Sequence, residues 1–116
     1  MRILFQAEKQ AIVAMLENNA TTRDFLSLLP LSLALEDYAT TEKISGLPKK
    51  LSTEGAPPGF APQAGDVAYY APWGNLAIFH KAFRHLDGLV KLGRIEAGLD
   101  ILARSGPVKV AIGRFD

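Results

Sequence analysis

The sequence predicts a mainly β chain, closed into an eight-stranded antiparallel barrel with two short helices capping its ends. Three observations predict it. Short runs that alternate apolar and polar residues recur along the chain, tight-turn residues punctuate them, and only two brief stretches carry helical spacing. The strongest of these signals is 65–79, GDVAYYAPWGNLAIF. Pro72 presets the φ of a turn corner, and Gly74 and Asn75 accept the positive φ expected later in the turn. The flanking runs 67–71 and 76–80 are rich in β-branched and aromatic residues, as strands are.

The remaining elements follow in chain order. Residues 2–7 alternate, with Ile3, Phe5 and Ala7 opposite Leu4 and Gln6, and 10–16 completes an N-terminal hairpin after Glu8-Lys9. Asn18-Asn19 breaks the pattern. Thr21 or Thr22 then caps a helix running through Leu29, with Asp24 in its first turn and Phe25, Leu28 and Leu29 on one side. Pro30 stops it. Residues 31–38 alternate again as a half-buried strand. Residues 39–65 read as a long loop holding Pro48, Pro57, Pro58 and Pro62, with a brief strand at 47–51. A loop of that length in a small domain is either functional or packed down as an Ω-loop. After the 65–79 hairpin come a polar connection (81–88), a strand (89–96), a helical turn or two (99–104) and a last strand (108–115). Closing these strands into a barrel removes exposed sheet edges.

The chain's 116 residues suffice for one domain, 1–116, with its own core. A hydrophobic share of 48% with 22% charged residues is that of a globular chain, and a net charge of +1 gives no basic face for nucleic acid. The absence of cysteine rules out disulfides, thiolate metal sites and a cysteine nucleophile. The first apolar run is too short for a signal peptide, and none reaches the length of a membrane span. A soluble cytoplasmic protein is expected. No cofactor is expected either. No glycine-rich phosphate loop opens a helix, and His80, His85, Asp66 and Asp87 match no metal-ligand spacing.

The candidate site residues are Arg94, Tyr38, Glu54, Tyr69, Tyr70, Trp73, Asn75 and Phe79. Counting by twos, Val90, Leu92 and Arg94 share a face, which places Arg94 inside the barrel mouth. A buried guanidinium needs partners. It reads first as an internal salt bridge with Glu36, Asp37, Glu54 or Glu96, and otherwise as an anion or carbonyl contact in a pocket. The aromatic set Tyr38, Tyr69, Tyr70, Trp73 and Phe79 either lines a cleft or belongs to the core and outer wall. Both faces of 67–71 carry apolar residues, so one face must be covered by a loop, a ligand or a second subunit. Glu54, beside Ser52 and Thr53, lies in the long loop as a site-lining residue.

The runs 33–38 (LALEDY), 41–44 (TEKI), Leu47-Pro48, 51–57 (LSTEGAP), 65–79 and 88–95 (GLVKLGRI) resemble a bacterial cyclophilin-like family of unknown function over nearly the whole chain. The resemblance implies the same eight-stranded barrel with two capping helices. Cyclophilins proper are prolyl isomerases that use an arginine beside an apolar pocket and a nearby glutamine-glycine-glycine-aspartate segment. Here Phe79-His80-Lys81 resembles only part of such a site, with lysine in place of arginine and without the downstream segment. Three functions are therefore open. The first is a binding module for an extended peptide or small metabolite, in a groove bordered by the Pro72–Asn75 turn, Arg94 and the 47–59 loop. The second is a weak peptidyl-prolyl isomerase with Arg94 as cation and Phe79 and Trp73 as pocket walls. The third is a structural role in which the aromatic wall forms a homodimer interface.

Overall fold

In a computed structural model that describes residues 1–115, the chain alternates strands and short helices. They are β1 (Arg2–Ala7), β2 (Gln10–Leu16), α1 (Ala20–Leu26), β3 (Leu31–Tyr38), β4 (Glu42–Gly46), β5 (Gly59–Phe60), β6 (Asp66–Tyr70), β7 (Asn75–Phe79), β8 (Leu86–Asp87), β9 (Leu89–Ala97), α2 (Leu99–Ala103) and β10 (Val108–Arg114). Among the described residues, eight strands close a barrel in the order β1-β10-β3-β4-β7-β6-β9-β2, with every pairing antiparallel. The short strands β5 and β8 pair separately as a two-stranded ribbon.

Alternation sorts the side chains. Ile3, Phe5, Ile12, Leu35, Leu76 and Ile78 point inward and are fully buried. Each such side chain contributes about 1.5–3 kcal/mol when withdrawn from water. Helix α1 seals one opening with Phe25 and Leu26, and α2 adds Ile101 and Leu102 to the same core. A smaller apolar cluster forms on the outer face, where Ala68, Ala77, Phe79 and Leu89 lie beneath Phe60, Phe83 and Leu86. The cover expected over the 67–71 strand is thus supplied by the chain's own segments. Phe60 comes from the proline-rich loop, and Phe83 and Leu86 from the connection after β7.

Several boundaries differ from the sequence expectation, each for a local reason. The cap of α1 is Asn19, whose side-chain oxygen accepts the Thr22 N–H at 2.8 Å. Thr21 and Thr22 instead turn their hydroxyls to the Ser52 and Leu92 carbonyls. Asp24 lies past the first turn and accepts the Ser52 N–H at 2.7 Å. With Tyr69 Oη accepting the Leu51 N–H at 3.0 Å, this pins residues 47–58 against the barrel end. That segment is a packed loop with Leu51 in the core, and no strand forms at 47–51. The strand that does form nearby, β4, was hidden because its first residues are charged. In the 71–74 turn only Gly74 takes a positive φ, of 68°, and Asn75 begins β7 in extended conformation.

The largest correction concerns β9. A bulge opposite Val67 and Ala68 places Leu92 and Gly93 on the same, inward side, so alternation restarts one residue later. Glycine is required there, since a Cβ on Gly93 would stand 2.0 Å from the Met15 carbonyl oxygen. Ile95 therefore enters the core while Arg94 faces outward, opposite Asp66, and is exposed. Its guanidinium donates to the Ala64 carbonyl at 3.3 Å, and the expected internal salt bridge does not form.

Candidate functional site

The charged group that does enter the barrel is Lys43, on β4. Its side chain is fully buried, and its ammonium donates to the Asp37 carboxylate, to the Arg104 carbonyl at 2.7 Å and to the Gly106 carbonyl at 2.6 Å. The other Asp37 oxygen accepts the Gly106 N–H at 2.7 Å. These contacts to Lys43 and then to Gly106 hold the Asp37 carboxyl below its ordinary range. With every donor used and α2's C-terminal turn closed over it, this cluster is a structural latch. His80, at the end of β7, is half-buried, and its pKa is lowered by burial and by the nearby ammoniums of Lys43 and Lys81.

The neighbouring residue, Glu42, points the opposite way. It opens onto the outer face of β3, β4, β7 and β6, where a groove of about 150 Å³ is lined by Tyr38, Glu42, Ile44, Tyr70, Trp73 and Asn75. Phe83, Arg84 and Leu86 form its far rim. Trp73 stands edge-on to two rings, with centroids 5.3 Å from both Tyr38 and Tyr70. The turn that carries Trp73 is braced from below. The Ala71 N–H donates to the Gly88 carbonyl at 2.9 Å, and Pro72 packs where a Cβ on Gly88 would fall, 2.7 Å from its ring. Yet Trp73 remains 58% exposed and Tyr38 44%, an apolar wall facing solvent.

Two buried polar groups face this groove. Asn75 is 5% exposed, and its amide nitrogen is fixed by donation to the Leu76 carbonyl at 3.1 Å. Its Oδ1 has no hydrogen-bond partner, a state shared among the described residues only with Asp66 Oδ1. Asp66 Oδ1 at least has the Lys91 ammonium 3.7 Å away. Glu42 is 8% exposed and accepts the Thr41 hydroxyl at 3.2 Å. Burial raises its pKa, and the Thr41 bond only partly opposes that.

The eight residues expected at one site are thus divided. Tyr38, Tyr70, Trp73 and Asn75 converge on the outer groove. Tyr69 points into the core, with its hydroxyl spent on Leu51, and Phe79 is fully buried under the covering loops, so neither lines a cleft. Glu54 is exposed in a different groove, beside Asn19, Pro57 and Phe60. Arg94 pairs with Asp66 at one end of β6, whereas the turn follows Tyr70 at the other, about 13 Å along the strand. It cannot border a pocket with Trp73. Sequence reasoning missed Glu42 and Arg84; for Glu42 the usable signal was the alternation of 42–46, masked by reading it as loop. A wider depression of about 510 Å³ lies by α2, but its charged and amide side chains, Glu8, Gln10, Arg104 and Lys109, are all exposed. Among the described residues no three His, Asp or Glu side chains gather as metal ligands would, and no helix is long and apolar enough to cross a membrane.

Comparison with known proteins agrees with this architecture. A family model described as the cyclophilin-like family matches residues 5–113. No curated protein matches the sequence. Among solved structures, the solution structure of a hypothetical protein from Archaeoglobus fulgidus superposes with a TM-score of 0.70 at 18% identity, covering 99% of this chain and 95% of that one. At that identity the likeness is one of fold.

Proposed function

The chain belongs to the cyclophilin-like family, and on that barrel we propose that the outer groove makes it a binding module for a small metabolite or an extended peptide segment. Family membership supplies the scaffold and not the activity, so the groove must carry the argument. The observation that carries it is Asn75 Oδ1, buried and unpartnered in a groove walled by Tyr38, Tyr70 and Trp73. An acceptor withdrawn from water without a partner costs about 1–3 kcal/mol, and a ligand N–H or O–H placed there recovers it. The rings offer apolar contact at low entropic cost, since each has two side-chain torsions. The prolyl-isomerase alternative needed Arg94, Phe79 and Trp73 at one pocket, but Phe79 is fully buried, and Arg94 and Trp73 lie at opposite ends of β6.

The test uses the chain's single tryptophan, Trp73. Small metabolites and short peptides are screened by Trp73 fluorescence and by thermal shift. Hits are expected to raise the Tm of the wild-type chain and to lose that effect in Trp73→Leu, which should fold normally because the residue is an exposed turn position. Hits that stabilise Trp73→Leu as strongly as wild type would move the site elsewhere.

A further inference from the structure

We propose that the groove takes a small organic cation, an ammonium or guanidinium on an apolar stem, with Glu42 as counter-ion; this builds on the binding-module reading above. Most buried polar and charged side chains of the barrel are already answered. Thr21 and Thr22 reach carbonyls, Lys43 reaches the three oxygens of its latch, and Asp66 accepts the Gln63 N–H with Lys91 nearby. The two left under-served, Glu42 and Asn75, line one and the same groove.

Glu42 is 8% exposed, yet none of the ion pairs among the described residues includes it, and its hydrogen bond comes from a neutral hydroxyl. A carboxylate so placed gains from any cation that enters. The Tyr38 and Trp73 rings add faces that attract positive charge. Glu42 pairs with Phe79 and Asn75 with Gly46, so the two acceptors sit at opposite ends of β4 with Ile44 between them. That order asks for a cation at one end, an apolar stem over Ile44, and a neutral donor toward Asn75. The remaining groups of the groove that carry or gain charge are Arg84 and the phenols of Tyr38 and Tyr70. The Arg84 guanidinium is stacked over its own neighbour, with Cζ 4.7 Å from the Phe83 ring centroid, and is not paired with Glu42.

A free amine and a lysine-like side chain both present an ammonium on an apolar stem, so the probes separate the two. They are 1,5-diaminopentane and Nα-acetyl-lysine-methylamide, each against a neutral counterpart, 1-pentanol and Nα-acetyl-norleucine-methylamide. Binding is followed on the intact chain by calorimetry and Trp73 fluorescence. At neutral pH at least one cation is expected to bind about tenfold or more tightly than its counterpart. That preference should vanish in Glu42→Gln and on acidification through the carboxylate range, and Arg84→Gln should strengthen it. Should Glu42→Gln fold poorly, Trp73→Leu is expected to weaken the same cation several-fold. Equal binding of charged and neutral probes would overturn the cation assignment while leaving the binding groove standing. If no probe of either kind binds, both readings fall.

Discussion

Lys43 and Glu42 are neighbours in sequence, both charged and both buried, yet the barrel wall between them gives them opposite fates. Lys43 points inward and meets a carboxylate and two carbonyls, so its burial is fully compensated. Glu42 points outward into the aromatic groove and meets one hydroxyl. A buried charge with all its partners is a part of the scaffold. A buried charge lacking a counter-ion, in one groove with an orphaned amide oxygen, is a place where the fold has been left incomplete, and such places are where ligands bind.

The comparison breaks most readily on the inner side. Lys43→Met keeps the apolar stem but strands the Arg104 and Gly106 carbonyls, and should destabilise the chain by about 2–4 kcal/mol on that account alone. Loss of Asp37's partner adds to it. Asp37 is held below its ordinary range, so its contribution is present above that range and disappears as pH falls through the lowered value. Denaturant titration of wild type and variant should show their stability gap narrowing in acid. A Lys43→Met chain as stable as wild type at neutral pH would deny the latch its structural role.

On the outer side the sign reverses. Glu42 has a raised pKa in the fold, because burial disfavours its charged form. A group raised in this way supports the fold below its unfolded pKa, and that support is lost as pH rises through the folded value. Glu42→Gln should therefore stabilise the ligand-free chain near neutrality, by about 0.5–1 kcal/mol because solvent reaches the groove and screens the charge. The advantage should shrink as the pH is lowered into the carboxylate range. A variant that is more stable yet no longer binds cations is the behaviour of a site kept at the expense of stability. A Glu42→Gln chain less stable than wild type at neutral pH would instead make Glu42 a structural residue like Lys43.

How much of this was legible in the sequence follows from which signals are local. Alternation and turn residues located β1, β2, β3 and the β6–β7 hairpin within a residue or so, because a strand with one apolar face announces itself. The hairpin also held three of the groove's residues, Tyr70, Trp73 and Asn75, whereas the place of Tyr38 beside Trp73 depends on β3 and β7 both pairing with β4. That strand was invisible as a strand, since Glu42 and Lys43 read as polar loop until the barrel supplies Asp37 and α2 on one side and the groove on the other. The inward placement of Arg94 failed for a different reason. Counting by twos assumes an unbroken pleat, and the bulge at Leu92-Gly93 depends on the approach of β2's Met15 carbonyl, a contact between residues far apart in the chain.

Arg94 also gives the smallest and most discriminating test of that difference. An inward guanidinium, desolvated and paired inside the barrel, would cost several kcal/mol to remove, since its partner would be left charged and buried. The outward Arg94 has one hydrogen bond, to the Ala64 carbonyl at 3.3 Å, and stands in solvent opposite Asp66. Arg94→Ala should therefore change stability by no more than about 0.5 kcal/mol, the ordinary range for an exposed position. It should also leave cation binding in the groove untouched, because the residue lies at the far end of β6 from Trp73. Denaturant unfolding together with the same calorimetric probes checks both. A large loss of stability would restore the inward placement, and a loss of binding at unchanged stability would extend the groove to the other end of the strand.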